Sequence, residues 1–137
     1  MPVDGSPASF TALALACSLT RKNRGTIYAV YVIEVARNLA LDAEIPFDAE
    51  KAELVLQRAE QITSELDGKI EGEILQARDA GHAIVDEAIE RDVSAIILGV
   101  GFEKPLGEFE MGQTATYVMQ HAPCKVVMLR AEAHEQS

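Results

Sequence analysis

Cysteine is scarce. The 137-residue chain holds only Cys17 and Cys124, too few for a disulfide framework. Cys17 lies in the apolar run "ALALACSL", where a thiol packs as a small hydrophobe. Cys124 follows Pro123 and precedes an apolar strand-like run. Both suit a reduced, cytoplasmic setting. Positive charge is scarce too: 12 Lys and Arg face 22 Asp and Glu, a formal net charge of −10. Such a chain repels polyanions, so neither nucleic acid nor an anionic lipid surface is an expected partner. No apolar stretch approaches the roughly 20 residues of a membrane span. The first ten residues carry no basic segment, so direct membrane insertion and a signal peptide are both unexpected. No internal repeat or low-complexity tract is present. What the chain does have is apolar content, 48% of residues with a mean hydropathy of +0.05. That is too apolar for acidic disorder and long enough for one sizeable core, so residues 1–137 are read as a single domain.

Periodicity divides the chain into alternating elements. "MPVDGSPAS" reads as the end of a strand entering a helix, with Ser6 as N-cap and Pro7 at the first helical position. Ala8 to Thr20 has Phe10, Leu13, Ala14, Cys17 and Leu19 at helical spacing, and Gly25 closes the turn after Arg21, Lys22 and Arg24. "TIYAVYVIEV" (Thr26 to Val35) is almost continuously apolar, as a parallel strand covered on both faces should be. Pro46 is expected to hold off the next helix until Asp48, after which Ala52, Val55, Leu56, Ala59, Ile62, Thr63 and Leu66 share one stripe. A strand over 69–76, a helix over Ala80 to Arg91, the short apolar strand "SAIILGV", a helix over Gly112 to His121 and the strand "CKVVMLR" complete the order. Five strands alternating with four helices specify an α/β fold, a parallel five-stranded Rossmann-like sheet with helices on both faces. Its first strand, Met1 to Val3, spans only about 10 Å. Either that strand is truncated or part of it lies outside this chain.

Ligands of such sheets bind outside the carboxyl ends of the strands. That rule singles out Asp4-Gly5-Ser6, the end of the second strand near Val32, and the segment from Gly99 onward. Gly99, Gly101 and Gly112 either expose backbone N–H groups to an anion or shape a turn. The helix from Gln113 or Thr114 points its positive end to the same place, and Thr114 adds a hydroxyl. Asp4 either accepts hydrogen bonds from a ligand or closes an Asx turn onto Ser6. Arg78 follows the third strand and is the best-placed cation for a phosphate contact, with a salt bridge as its structural alternative. Glu103, Glu108 and Glu110 outnumber Lys104 in the loop after Gly101, which disfavours phosphate. No GxxxxGK[ST], HExxH or GxSxG occurs, and His82, His121 and His134 lack ligand spacing with either cysteine, so neither a metal site nor a catalytic set is expected. His121, near a helix C-terminus, can cap a carbonyl.

Three segments in order carry a family resemblance: "VDGSPAS" at Val3 to Ser9, "DVSAIILG" at Asp92 to Gly99, and "GQTATYVMQHAPCKVVMLR" at Gly112 to Arg130. Over nearly its whole length the chain resembles the universal stress protein domain. The resemblance implies a fold like that of the adenine nucleotide alpha hydrolases and a homodimer through the last strand, at Val126, Val127, Met128 and Leu129. Many members bind adenine nucleotides such as ATP or AMP through Gly, two residues, Gly, nine residues, then Gly and Ser or Thr. Gly99 and Gly112 match the first and third glycines. Phe102 stands at the second, beside Gly101, and Gln113 replaces the Ser or Thr. Asp4 matches the family's nucleotide-contacting acid, and Val32 falls near its adenine side. The expectation is a regulatory, stress-response domain with weak or altered adenine-nucleotide binding. The alternatives are a protein-interaction domain without nucleotide and a weak ATP hydrolase working through Asp4 and Glu108. The family implies no settled catalytic reaction. "GEF" and "GQT" are also similar to stress-protein domains attached to amino-acid transporters, which makes a membrane transporter a candidate partner.

Overall fold

The structure is a computed structural model and describes residues 1–101 and 112–130. Its elements are α1 (Pro7–Arg21), β1 (Ile27–Glu34), α2 (Pro46–Glu65), β2 (Ile70–Ala77), α3 (Ala80–Arg91), β3 (Ala95–Val100), α4 (Gln113–His121) and β4 (Lys125–Arg130). The start of α1 is fixed by Ser6, whose Oγ accepts from the Ser9 N–H, with Pro7 at the first turn. Its inward face is made of small residues, Ala8, Ser9, Ala12, Ala16 and Cys17, around Leu13. Ala14 and Leu19, expected inward, are exposed; the small residues take the buried stripe because the helix backbone lies close against β3. Pro46 opens α2 instead of delaying it. At the first helical position its missing N–H costs nothing, and Asp48 falls within the first turn.

The strands do not form one five-stranded sheet. They form two separate two-stranded parallel sheets, β1 with β2 and β3 with β4. Ile27 pairs with Ile70 through Glu34 with Ala77, and Ala95 pairs with Lys125 through Val100 with Arg130. The expected first strand is reduced to one parallel bridge between Pro2 and Val30. Val3 N–H donates to Val30 O and Val30 N–H to Met1 O, both at 2.9 Å. Three residues bond only the first half of β1, at Tyr28 and Val30, and Pro2 has no N–H to give, so no ladder joins this segment to β3. Beside it a slot of about 410 Å³ opens, lined among others by Ile27 and Tyr28 of β1 and by Ile96 and Ile97 of β3.

Side-chain alternation still builds two apolar layers. On one face, Ile96, Leu98 and Val100 meet Ile84, Val85 and Ala88 of α3 and Ala115 and Val118 of α4. On the other, Ala29, Tyr31 and Ile33 meet Ala52, Val55 and Leu56 of α2, while Ile27 joins Leu13, Ala16, Cys17 and Ala59. Cys17 is buried as expected and Cys124 is half-buried; both are free thiols. Arg91 ties α3 to the first sheet: it donates to Glu87 at 2.6 Å and Glu73 at 3.0 Å, and lies 4.4 Å above the Tyr28 ring. No helix among the described residues is long and apolar enough to cross a membrane.

Candidate functional site

The carboxyl ends of β1 and β3, the turn before α1 and the start of α4 meet at one rim. They enclose a cavity of about 460 Å³. Asp4, Val32, Gly99, Gly101, Gly112, Gln113 and Thr114 all line it. The two turns that sequence reasoning needed at one place are therefore together there. Gly5 is not part of the lining; it shapes the adjoining turn with a φ of +86°.

Each wall has a local cause. Asp4 Oδ1 accepts from Ser6 N–H at 2.9 Å, an Asx turn that aims the chain into α1. The Asx turn engages one oxygen of Asp4, and the residue also lines the cavity. Val30, Val32 and Glu34 alternate on one face of β1 and all reach the lining. Glu34 Oε1 accepts from Ala80 N–H at 3.2 Å and so anchors the first turn of α3 to the end of β1. Ile84, Leu98 and Val100 supply the apolar wall.

Gly112 precedes α4 at φ 86° and ψ 160°, a region open essentially to glycine alone. Among the described residues no side chain caps α4. The first-turn N–H groups of Gln113, Thr114 and Ala115 have no intrahelical partner, and all three residues line the cavity. Gly99, besides lining the cavity, has a packing duty that was not expected of it. A Cβ there would lie 2.2 Å from Ala8 O, so the glycine permits α1 and β3 to touch backbone to backbone.

Among the described residues that line the cavity, Asp4 and Glu34 are the ionisable ones, and none is Lys, Arg or His. Arg78 lies away from the lining. Its guanidinium donates to the carbonyls of Val35 at 3.4 Å, Ala36, and Leu39 at 2.8 Å. Gln76 donates in the same way to Leu41 and Ala43, each at 2.9 Å. The end of β2 thus holds the 35–43 loop in place. Phe102 and the acidic residues Glu103, Glu108 and Glu110 fall outside the described residues.

Sequence reasoning passed over Glu34 and Ser9 as cavity residues. Strict alternation from Val32 would have found Glu34. Asp79 caps α3 by accepting from His82 N–H at 3.0 Å, and the His82 ring nitrogen sits 2.9 Å from the same oxygen. These bonds hold the Asp79 carboxyl below its usual pKa. His121 Nδ1 lies 3.0 Å from Tyr117 O, the helix-end contact its position predicted. Among the described residues no group of His, Cys, Asp and Glu could hold a metal ion. Val126, Val127, Met128 and Leu129 are half-buried in β4, which pairs on one side with β3.

The family model described as universal stress protein family matches residues 1–130. A universal stress protein of Methanocaldococcus jannaschii is 26% identical over 141 residues, covering 98% of this chain and 82% of that protein. Among solved structures, a universal stress protein from Archaeoglobus fulgidus superposes with a TM-score of 0.77 at 24% identity, covering 93% of each chain. The Archaeoglobus fulgidus protein in complex with dAMP gives 0.74 at 22%, covering 93% of this chain and 92% of that one. A universal stress protein family member from Arabidopsis thaliana with AMP bound gives 0.70 at 17%, covering 99% and 92%.

Proposed function

The chain belongs to the universal stress protein family, and from that premise we propose that it is a regulatory domain that binds an adenine nucleotide in the cavity at its strand ends. One observation carries the reading. Asp4, Val32, Gly99 and Gly112, drawn from four separate segments, line a single cavity at the carboxyl ends of parallel strands, where ligands of such sheets bind. The dAMP and AMP complexes of the structural relatives support the same ligand class. In this reading the purine lies on the apolar wall of Val32, Ile84 and Leu98. The ribose hydroxyls donate to Asp4, and phosphate oxygens accept from the N–H groups that open α4. The role is binding rather than turnover.

Calorimetric titration with AMP and ATP tests it. Saturable heat with AMP is expected, together with thermal stabilisation of about 2.7 kcal/mol at a hundredfold excess over Kd. Asp4→Ala should weaken AMP binding about tenfold, the worth of one hydrogen bond to a charged group. No heat and no thermal shift up to millimolar ligand would overturn the reading. Phosphate release by the wild type that vanishes in Asp4→Ala would show turnover instead. A homodimer through β4 belongs to the same proposal, supported by the apolar run Val126 to Leu129 on a strand with one paired side. Sedimentation should give twice 14.8 kDa; a monomer at high concentration refutes that part.

A further inference from the structure

We propose that the slot between β1 and β3 is a strand-acceptor site, which takes the apolar C-terminal end of a partner polypeptide as a strand parallel to both. The proposal goes beyond the nucleotide reading and does not rest on it. Backbone parity shows what the slot offers. Ile27 N–H donates to Lys69 O and Val35 N–H to Ala77 O, so the odd residues of β1 bond to β2. The even ones face the other way: Tyr28 O accepts from the Met1 nitrogen, and Val30 bonds to both Met1 and Val3. The bridge between Pro2 and Val30 sets Met1 opposite Ala29. Tyr28 N–H and the Thr26 carbonyl therefore face the slot with no strand beside them. Among the described strands β3 pairs with β4 alone. Alternate residues along Ala95, Ile96 and Ile97 thus turn their N–H and C=O groups to the same slot.

Two strand edges therefore face one another across a gap of one strand, a ready template for an added chain. Thr26 to Tyr28 on one wall and Ala95 to Ile97 on the other match a segment of about three extended residues, roughly 10 Å. Side chains of that segment alternate between two faces. One face meets Ile84 and Ala88 of α3, the other Ala16 and Leu19 of α1, so both call for apolar residues. Met1 closes the slot toward the carboxyl end of β1. A segment parallel to β1 has to stop there, and what it stops in is its terminal carboxylate. Burial pushes the Met1 amine down to about 5, and a carboxylate beside it supplies the counter-charge it lacks.

The test is calorimetry with an acetylated peptide, a Gly-Ser-Gly lead followed by Val, Ile and Val with a free carboxylate. Saturable one-to-one binding with a Kd below about 1 mM is expected. The same peptide N-methylated at two of its apolar residues cannot complete the ladders and should bind at least about tenfold more weakly. Its C-terminal amide should bind several-fold more weakly. Hydrogen exchange on the wild type locates the site: peptide should slow Tyr28 N–H at least about tenfold and leave Ile27 N–H, already bonded to Lys69 O, unchanged. Ala95→Phe narrows the slot and should weaken the free-acid peptide about tenfold, with circular dichroism checking the fold. The proposal is overturned by no saturable binding up to about 1 mM, by equal binding of the N-methylated peptide, or by unchanged exchange at Tyr28. Equal binding of the amide would remove the C-terminal assignment. Undiminished binding to a folded Ala95→Phe would place the peptide outside the slot and refute the site.

Discussion

Replacing Gly99 with alanine adds one methyl group at the place where the fold has no room for it. The new Cβ would lie 2.2 Å from Ala8 O, 2.6 Å from Ala8 C and 3.0 Å from Ser9 Cα. Ordinary carbon contacts begin near 3.4 Å, so α1 and β3 must part by about 1 Å. Nothing soft can absorb this, because the opposing atoms are backbone in the first turn of a helix. Moving α1 also loosens Leu13 and Cys17, which are fully buried. Overpacking costs about 1–3 kcal/mol when side chains can adjust, and a backbone clash belongs at or above the upper end. A loss of about 3 kcal/mol is expected, a large share of a total of roughly 5–15 kcal/mol. It should appear as a lower urea midpoint at unchanged m, and as a fall in Tm of about 10 °C. Gly72→Ala is the matched control. Its Cβ would approach no atom closer than Leu56 Cδ2 at 3.4 Å, and an alanine within a strand loses less backbone entropy than glycine, so it should be neutral or stabilising by about 0.5 kcal/mol. The Asp4–Ser6 turn leads directly into α1, so Gly99→Ala should also weaken AMP binding. A destabilisation below about 0.5 kcal/mol, within the range of an ordinary surface substitution, would refute the reasoning.

Gly112→Ala separates conformation from crowding. Among the described residues a Cβ there meets nothing within 4 Å, yet φ is +86°. The cost, about 1–3 kcal/mol by denaturation, is wholly one of backbone strain, and a neutral result would mean that α4 starts differently. Arg78→Met removes the guanidinium that donates to three loop carbonyls. Limited proteolysis within residues 35–43 should quicken and stability should fall by about 1 kcal/mol. AMP affinity should stay within about twofold because Arg78 does not line the cavity; a tenfold loss would restore the phosphate role. Hydrogen bonds from His82 hold Asp79 below its usual pKa, and a hydrogen bond from Arg91 does the same for Glu87. Groups depressed in this way contribute stability that is complete above the ordinary carboxylate range of about 4 and is lost as the pH falls through their folded values. Acid denaturation of the double variant Asp79→Asn, Glu87→Gln should therefore show a shallower loss of stability below about pH 4 than the wild type. An unchanged slope would mean that neither carboxylate matters to acid stability.

What the sequence makes legible here is what a short window of chain decides by itself. Ser6 and Pro7 mark the start of α1 because cap and first-turn chemistry are local. The helix at Ala80–Arg91 falls where its apolar stripe predicts it. That Asp4 and Gly112 share one rim follows from the βα order alone, since every strand in a parallel arrangement delivers its carboxyl end to the same side. Glu34 was legible as well. The run Thr26 to Val35 is apolar enough to look buried on both faces, and that impression hides the two-residue alternation that sets Glu34 beside Val32 in the cavity. The features that escape are settled by competition between partners distant in sequence. Arg78 was expected to meet a phosphate or an acid, whereas the carbonyls of Val35, Ala36 and Leu39 are the acceptors its guanidinium reaches. Gly99 sits in a glycine-rich stretch that reads as a loop, while its requirement comes from Ala8, on a helix ninety residues earlier in the chain. The sheet is the sharpest case. A pattern of alternating elements counts Met1 to Val3 as one strand equal to the others. A hydrogen-bond ladder counts residues, and three of them, one a proline, make a single bridge to β1 and leave β3 to pair with β4. The order of elements along the chain is thus inferred from pattern more safely than sheet continuity, which depends on each strand being long enough to bond on both sides.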